Sequence, residues 1–450
     1  MKKIVAIIAV ALILFQLGCS NDKEYTFDSD FYPRIFDNGN TFTSPNRIVE
    51  EGASVNFNRL SFSPSPSKGM EISWKVNGQH VSSDTAFVFT PPNGGGEFEV
   101  TLEASFKGNV STRKSKVLVS PSTYAPKPFD QIALSYLTEN GNASFIDWKQ
   151  VTHVAFNGAR VLPEGGIDFS KGDLNQVTDE LVARAHLNGI PFLLSVSGRL
   201  SGVDGWALYN NSDFGDVISN PTLMAQLVTT LVDYVERKKI DGIDVLMTDL
   251  SNDDAAIAGR NAAAVGPFIN ALKAALQPGK LVTATVTTNY LHWNYTDLSQ
   301  ADWIHVRAYD DGAHVSPGAP LGQSSTLDYM ISSAAVWTNK GFAKNKLVLG
   351  MPAYGIRYDE LDSDGNNLSW GSYTNVSYTS ILQASSDADA YKKDYLPNIG
   401  KGVYYNGVVL IKEKADYVKE QGFKGAYLWA GDYDVKDNRS LMATIKANIK

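Results

Sequence analysis

The sequence predicts an α/β chain: a (β/α)8 barrel preceded by a small all-β sandwich. Three observations carry this. Eight apolar runs with strand composition lie downstream of Pro128. Helix-periodic amphipathic stretches fall between most of them. Upstream, short runs of period-two alternation are separated by Pro, Gly and Asn-Gly turn signals, the rhythm of a sandwich.

The N-terminus reads as an export signal. Lys2 and Lys3 precede the apolar run Ile4–Phe15, which is too short to span a bilayer. Cys19, the only cysteine, follows Gly18 in "QLGCS". This resembles a lipobox, although Gln16 stands where a Leu is usual. The resemblance implies that residues 1–18 are a lipoprotein signal peptide and that Cys19 carries the lipid. Residues 19–43 then form a polar tether. Its acidic start, "SNDKEYTFDSD", resembles the export tag of surface lipoproteins in some Gram-negative bacteria. That implies a protein lipid-anchored in the bacterial outer membrane and exposed at the surface.

Residues 44–122 form the predicted sandwich. Its runs include "MEISWKVNG", "TAFVFTPP" and "EFEVTLEASF", with turns at Asn77-Gly78 and Gly94–Gly96. "SWKVNG" followed by "GGEFEVTLEA" resembles PKD or immunoglobulin-like modules, and no polar cluster in it suggests chemistry. A Pro-rich linker over residues 123–130 follows.

The barrel is expected over residues 131–450. Its strands are read at 131–137, 152–161, 191–198, 242–248, 281–288, 303–310, 346–352 and 425–430. Helices are expected at 173–189, 221–239 and 262–279, with Pro221 in a first turn and Gly189 and Gly279 just past C-termini. The Tyr-, Asn-, Ser- and Gly-rich stretch 353–405 reads as an insertion after the seventh strand. It is expected on the barrel face where sites lie. An open doubly wound sheet is the alternative, but no Gly-x-Gly-x-x-Gly turn supports it.

Composition excludes several functions. The net charge is -8 and no Lys/Arg cluster marks a phosphate-binding face, so nucleic acid is not expected. Six scattered His and one Cys lack metal-ligand spacing. Neither a metal nor a cofactor is predicted.

The informative stretch is "KIDGIDVLMTDL", residues 239–250. Alternation puts Asp244, Leu246 and Thr248 on one face of the fourth strand and Val245, Met247 and Asp249 on the other. "DGIDVLMT" resembles the fourth-strand motif of glycoside hydrolase family 18, the chitinases and endo-β-N-acetylglucosaminidases, which reads Asp-Gly-x-Asp-x-Asp-x-Glu. Asp241, Gly242 and Asp244 match it. Leu246 stands in place of the last Asp, and Thr248 in place of the catalytic Glu. Further motifs support the resemblance in order along the chain. They are "LSY" with Tyr136 on the first strand, "LSVSG" with Ser197 on the third, "RAYD" with Arg307, Tyr309 and Asp310 on the sixth, and "GAYLW" with Trp429 on the eighth.

The resemblance implies a substrate-assisted hydrolase, in which the substrate's acetamido group attacks and one protein acid protonates the leaving oxygen. Threonine cannot act as that acid, nor can leucine orient an amide. The expectation is therefore a non-catalytic barrel that binds glycans containing N-acetylglucosamine, chitin fragments or N-glycans, through Tyr136, Asp244, Arg307, Tyr309, Asp310 and Trp429. Partners in a glycan-uptake complex are compatible with this. The alternative is an active family 18 glycosidase with a displaced acid, drawn from Asp249, Asp253, Asp254 or Asp310. Arg307 has two readings: it balances buried Asp244, or it selects an acidic sugar. Trp206, Tyr290, Trp293 and Trp370 are further aromatics at or beyond strand ends.

Overall fold

The computed structural model describes residues 32–42, 46–168, 174–198, 213–246, 254–288 and 290–450. The signal peptide, Cys19 and most of the tether lie outside the described residues. The chain forms two compact units. The second takes Leu118–Lys450 together with Ile48–Glu51 and Pro92–Gly96.

Residues 34–120 are all-β apart from one 3-10 turn. A five-stranded sheet runs, in spatial order, Asn46–Glu50, Asn109–Ser120, Gly96–Phe106, Glu71–Val76 and Gln79–Ser82. Two further antiparallel pairs join Val55–Phe57 to Phe87–Phe89 and Arg34–Asp37 to Leu60–Ser63. The last pair corrects the expected tether, because residues 34–37 are already a strand. Asn77 and Gly78 both take positive φ (49° and 82°), the conformation that a two-residue hairpin turn demands. Trp74 is the centre of the core, with ring centroids 5.2 Å from Phe87 and 5.4 Å from Phe57. Its indole N–H donates to the Asp84 carbonyl at 2.9 Å, so the one polar atom it buries is satisfied.

The second unit is a closed parallel barrel. Its strands are β1 Ile132–Leu137, β2 His153–Val161, β3 Phe192–Ser197, β4 Gly242–Leu246, β5 Leu281–Val286, β6 Trp303–Val306, β7 Leu347–Pro352 and β8 Gly425–Trp429. Each pairs with the next, and β8 pairs back onto β1. All eight predicted strands are present, within one residue at the start and within four at the end. Helices α1 Leu174–Leu187, α2 Pro221–Lys238, α3 Ala255–Ala275, α4 Leu327–Asn339, α5 Val408–Glu420 and α6 Leu441–Asn448 pack outside. Short 3-10 turns, Ala143–Phe145 and Tyr290–Trp293, follow β1 and β5 where a helix would be expected.

Local chemistry explains the helix ends. Asn220 caps α2 by accepting from Thr222 and Leu223 N–H, with Pro221 in the first turn. Asp254 caps α3 through Ala256 N–H, so α3 begins well before the expected residue 262. The Ala-rich stretch "AAIAGRNAAA" carries the helix through that start.

Strand alternation sorts side chains into two layers. Ile243 and Val245 join the outer core against the helices, with Val154, Phe192 and Val282. Leu246 joins the inner cluster with Tyr136, Tyr309, Tyr427 and Trp429. A segment carrying its own sheet follows β7, between Tyr354 and Tyr404. It is built on a four-stranded antiparallel sheet ordered Tyr373–Ser377, Tyr354–Tyr358, Val403–Tyr404, Tyr395–Leu396.

Candidate functional site

The barrel interior is organised around Asp244. This carboxylate has no exposed surface. Its Oδ2 accepts from Tyr136 Oη at 2.7 Å and Ser195 Oγ at 3.1 Å. Its Oδ1 accepts from Thr283 Oγ1 at 2.7 Å and lies 3.1 Å from His305 Nδ1. The indole N–H of Trp303 donates to His305 Nε2 at 2.7 Å. An indole only donates, so Nε2 is the acceptor and the imidazole proton sits on Nδ1, facing Asp244 and Tyr136. Burial pushes the Asp244 carboxyl up. The imidazole of His305, with donation from Thr283 and Tyr136, outweighs this and holds it below the usual carboxylate range. Burial and the neighbouring Asp244 raise the Tyr136 hydroxyl, which keeps it a donor.

One rung further along β4 the wall turns apolar. Leu246 faces the interior and is buried among aromatic rings. In the motif that this strand resembles, a carboxylate occupies that position. Thr248 lies outside the described residues, together with Met247, Asp249 and Asp253.

Past the end of β6 the chain supplies a second polar group. Asp310 takes a positive φ of 66°, unusual for a residue with a Cβ. Its amide is held by Ser325 Oγ at 3.1 Å. Its Oδ2 accepts from Arg307 at 3.2 Å and from the Tyr354 hydroxyl. The Arg307 guanidinium lies 5.1 Å from the Tyr309 ring centroid. The rings of Tyr136, Tyr427 and Trp429 pack beside these groups, with Tyr136 and Trp429 centroids 5.1 Å apart. Gly350 makes room for this packing, since a Cβ there would lie 2.5 Å from the Tyr427 hydroxyl. Two buried donors, Tyr427 Oη and Asn157 Nδ2, make no well-formed hydrogen bond.

Several expectations change. Arg307 does not balance Asp244; its carboxylate partner is Asp310, and His305 serves Asp244. Tyr136 and Asp244 have no surface of their own, so they brace the site from beneath rather than line it. Asp241 lies just before the start of β4, where it accepts from Phe192 N–H at 2.8 Å and lies 3.0 Å from His186 Nε2. It is a strand-tying residue at the opposite end from the site. Asp254 is occupied as the α3 cap. Trp293 and Trp370 are exposed. Trp206 lies outside the described residues, as does the side chain of Tyr290. Arg307, Tyr309 and Asp310 lie together just past the end of β6, and Trp429 at the end of β8 packs in the same inner cluster as Tyr309.

Ser195, Thr283, His305 and Tyr354 were not among the predicted site residues. The first three lie on inward positions of buried strands. A polar residue at an inward position was the signal available for them. Tyr354 comes from the insertion, which periodicity alone does not place.

The family profile described as "Glycosyl hydrolases family 18" matches residues 132–434, the whole barrel from β1 to just past β8. The chain belongs to glycosyl hydrolases family 18. Chitotriosidase-1 of Mus musculus is 25% identical over 331 residues, covering 64% of this chain and 68% of its own length. "Probable chitinase 10" of Drosophila melanogaster is 22% identical over 272 residues, which are 52% of this chain and 12% of that protein. Among solved structures, the family 18 chitinase ChiB from the chitin utilization locus of Flavobacterium johnsoniae superposes with a TM-score of 0.57. It is 23% identical and the match covers 72% of this chain and 94% of that one. A chitinase-like agglutinin from Robinia pseudoacacia superposes with a TM-score of 0.56 at 19% identity, covering 71% of this chain and all (100%) of the agglutinin. At these identities the structural matches establish the fold.

Proposed function

We propose that this family 18 barrel binds glycans containing N-acetylglucosamine, chitin fragments or N-glycans, without hydrolysing them. In this reading the protein is a lipoprotein anchored through Cys19 in the bacterial outer membrane. The observation that carries the proposal is Leu246. It faces the barrel interior where the family motif supplies a carboxylate, with threonine at the next inward position of the sequence. The family reaction needs an acid to protonate the leaving oxygen and a second to orient the acetamido group. General acid catalysis alone contributes about 10²–10⁴-fold.

What remains suits sugar binding. Trp429 and Tyr309 keep only a little exposed surface, 5% and 4%, and Asp310 and Arg307 place hydrogen-bonding groups beside them. Asp310 is the described carboxylate placed best to replace the missing acid. Its Oδ2 is already engaged by Arg307 and Tyr354, which favours a binding role. The fold shared with a chitinase-like agglutinin is compatible with this reading. A surface anchor would make glycan capture for an uptake complex the natural role.

The test incubates the detergent-solubilised protein with chitooligosaccharides and high-mannose N-glycans. Binding and product formation are measured in parallel. Binding without products is expected. Turnover that disappears in an Asp310→Asn variant would establish an active glycosidase with a displaced acid. Glycan binding unchanged by Trp429→Ala would remove the sugar site from this end of the barrel.

A further inference from the structure

The opposite end of the barrel, where the strands begin, holds a cavity of about 680 Å³, mid-range for a small-molecule site. Its wall comes from segments that precede strands: residues 127–131 before β1, 148–151 before β2 and 188–190 before β3, closed by the end of α6 and the residues after it. Trp148 and Phe129 give it aromatic surface, and the amides of Gln131 and Asn188 border it.

Charge makes this cavity unusual. Lys127, Lys149, Lys446 and Lys450 surround it, against the single carboxylate side chain of Asp130. None of the four lysines forms an ion pair among the described residues. Elsewhere on the barrel Lys238, Lys273 and Lys412 are each paired with an aspartate, and Lys280, Lys340 and Lys346 donate to backbone carbonyls. Two of the four are held in place. The Lys446 ammonium sits 5.2 Å from the Phe129 ring centroid. The Lys127 stem lies against Gly189, where a Cβ would come within 2.9 Å of Lys127 Cγ, and Lys127 N–H donates to the Gly189 carbonyl at 2.9 Å. Burial, with the charge of Lys450 nearby, lowers the Lys446 ammonium to about 8, which an anion in the cavity would reverse.

We propose that this cavity is a second carbohydrate site, for acidic saccharides bearing sulfate or carboxylate groups. A sugar ring has an apolar C–H face for Trp148 and hydroxyls for the two amides. Its anionic groups supply the partners that the lysines lack. A compact inorganic anion would leave the aromatic wall unused, and a neutral sugar would leave the lysines unpaired. The site is independent of the glycan reading at the other end of the barrel.

The experiment titrates the detergent-solubilised full chain with a fully sulfated heparin disaccharide, its unsulfated counterpart, inorganic sulfate and chitotriose, at low and physiological salt. The sulfated disaccharide is expected to bind best and to weaken as salt rises. The exposed pair Lys149→Glu and Lys450→Glu is expected to weaken it about tenfold or more while leaving the fold intact. Trp148→Leu is expected to weaken it about fivefold at constant charge. Trp429→Ala should not change it. No binding of the sulfated disaccharide, equal binding of inorganic sulfate, or binding indifferent to both the lysine and the Trp148 changes would each overturn the proposal.

Discussion

Asp244 braces the barrel interior, and Asp244→Asn tests this role. The carboxylate takes four donors on two oxygens, all out of water. Asparagine keeps one acceptor oxygen and replaces the other by an N–H₂ group. The nitrogen must face Tyr136 and Ser195, whose hydroxyls can turn and accept. It cannot face His305, whose Nδ1 proton is fixed by the Trp303 bond at the other nitrogen. Two bonds therefore change from charge-assisted to neutral, a loss of roughly 0.5–1 kcal/mol each, and two more must be reversed at about 1 kcal/mol each. The expected loss is about 3 kcal/mol, measured by urea unfolding at pH 7. The pH dependence has a definite sign. The folded-state carboxyl lies below its ordinary value of 3.8, so its stabilisation is fully present above 3.8. It is lost as pH falls through the lowered folded value. Wild type and variant should therefore converge in acid. A variant of unchanged stability with weakened glycan binding would refute the reasoning, because Asp244 would then be contacting ligand.

Other predictions follow from the same contacts. Arg307→Ala should weaken neutral and anionic glycans alike, by about fivefold, because it releases Asp310 from its ion pair; loss confined to anionic glycans would restore the acidic-sugar reading of Arg307. Lys414 is fully buried, donates to Ser325 O at 2.7 Å and Asn406 Oδ1 at 2.6 Å, and is pushed down to about 7 by burial. Between about 7 and 10.5 the unfolded chain holds a proton that folded Lys414 does not, so this group makes stability rise with pH, by up to about 1.4 kcal/mol per unit. Lys414→Met should flatten that slope, and identical slopes for the two proteins in urea titrations would contradict it. Leu246→Asp combined with Thr248→Glu should bring measurable chitooligosaccharide cleavage to a chain that, on the proposed reading, cleaves none. Persistent inactivity in a folded, glycan-binding double variant would mean that more of the reaction geometry has been lost than these two groups.

The barrel was legible because its strands are buried on both faces and its helices on one. Continuous runs such as "FLLSVS" and "LVTATV" read as parallel strands, and Pro221 and Gly189 punctuate the helices between them. Gly189 and Gly279 take the positive φ that their positions require, 70° and 92°. Boundaries failed where side chains rather than periodicity set them. The start of α3 depends on the Asp254 cap, and the strand at Arg34–Asp37 depends on pairing with Leu60–Ser63, a partner distant in sequence. Neither leaves a periodic trace. Partner identity was the weakest part. Asp244 lies on β4 and Arg307 just past the end of β6, with β5 between the two strands, and charge alone suggested that they pair. Three residues along its own chain, Asp310 turns back at positive φ and takes the guanidinium instead. A left-handed residue at an aspartate is not signalled by composition.

The surviving and missing parts of the fourth-strand motif differ in what they do for the fold. Asp241 ties the foot of β4 to β3 and α1. Gly242 fits where a Cβ would approach the Leu281 carbonyl within 2.3 Å. Asp244 gathers hydroxyls and an imidazole from β1, β3, β5 and β6 into one network. Each of the three has a structural use that survives without catalysis. At the next inward position Leu246 packs against aromatic rings. A buried acid without partners costs several kcal/mol, so on the non-catalytic reading proposed above an apolar residue is favoured there. The pattern of retention along this strand follows the needs of folding. On the non-catalytic reading, it separates the residues that build the barrel from the positions that the family reaction would use.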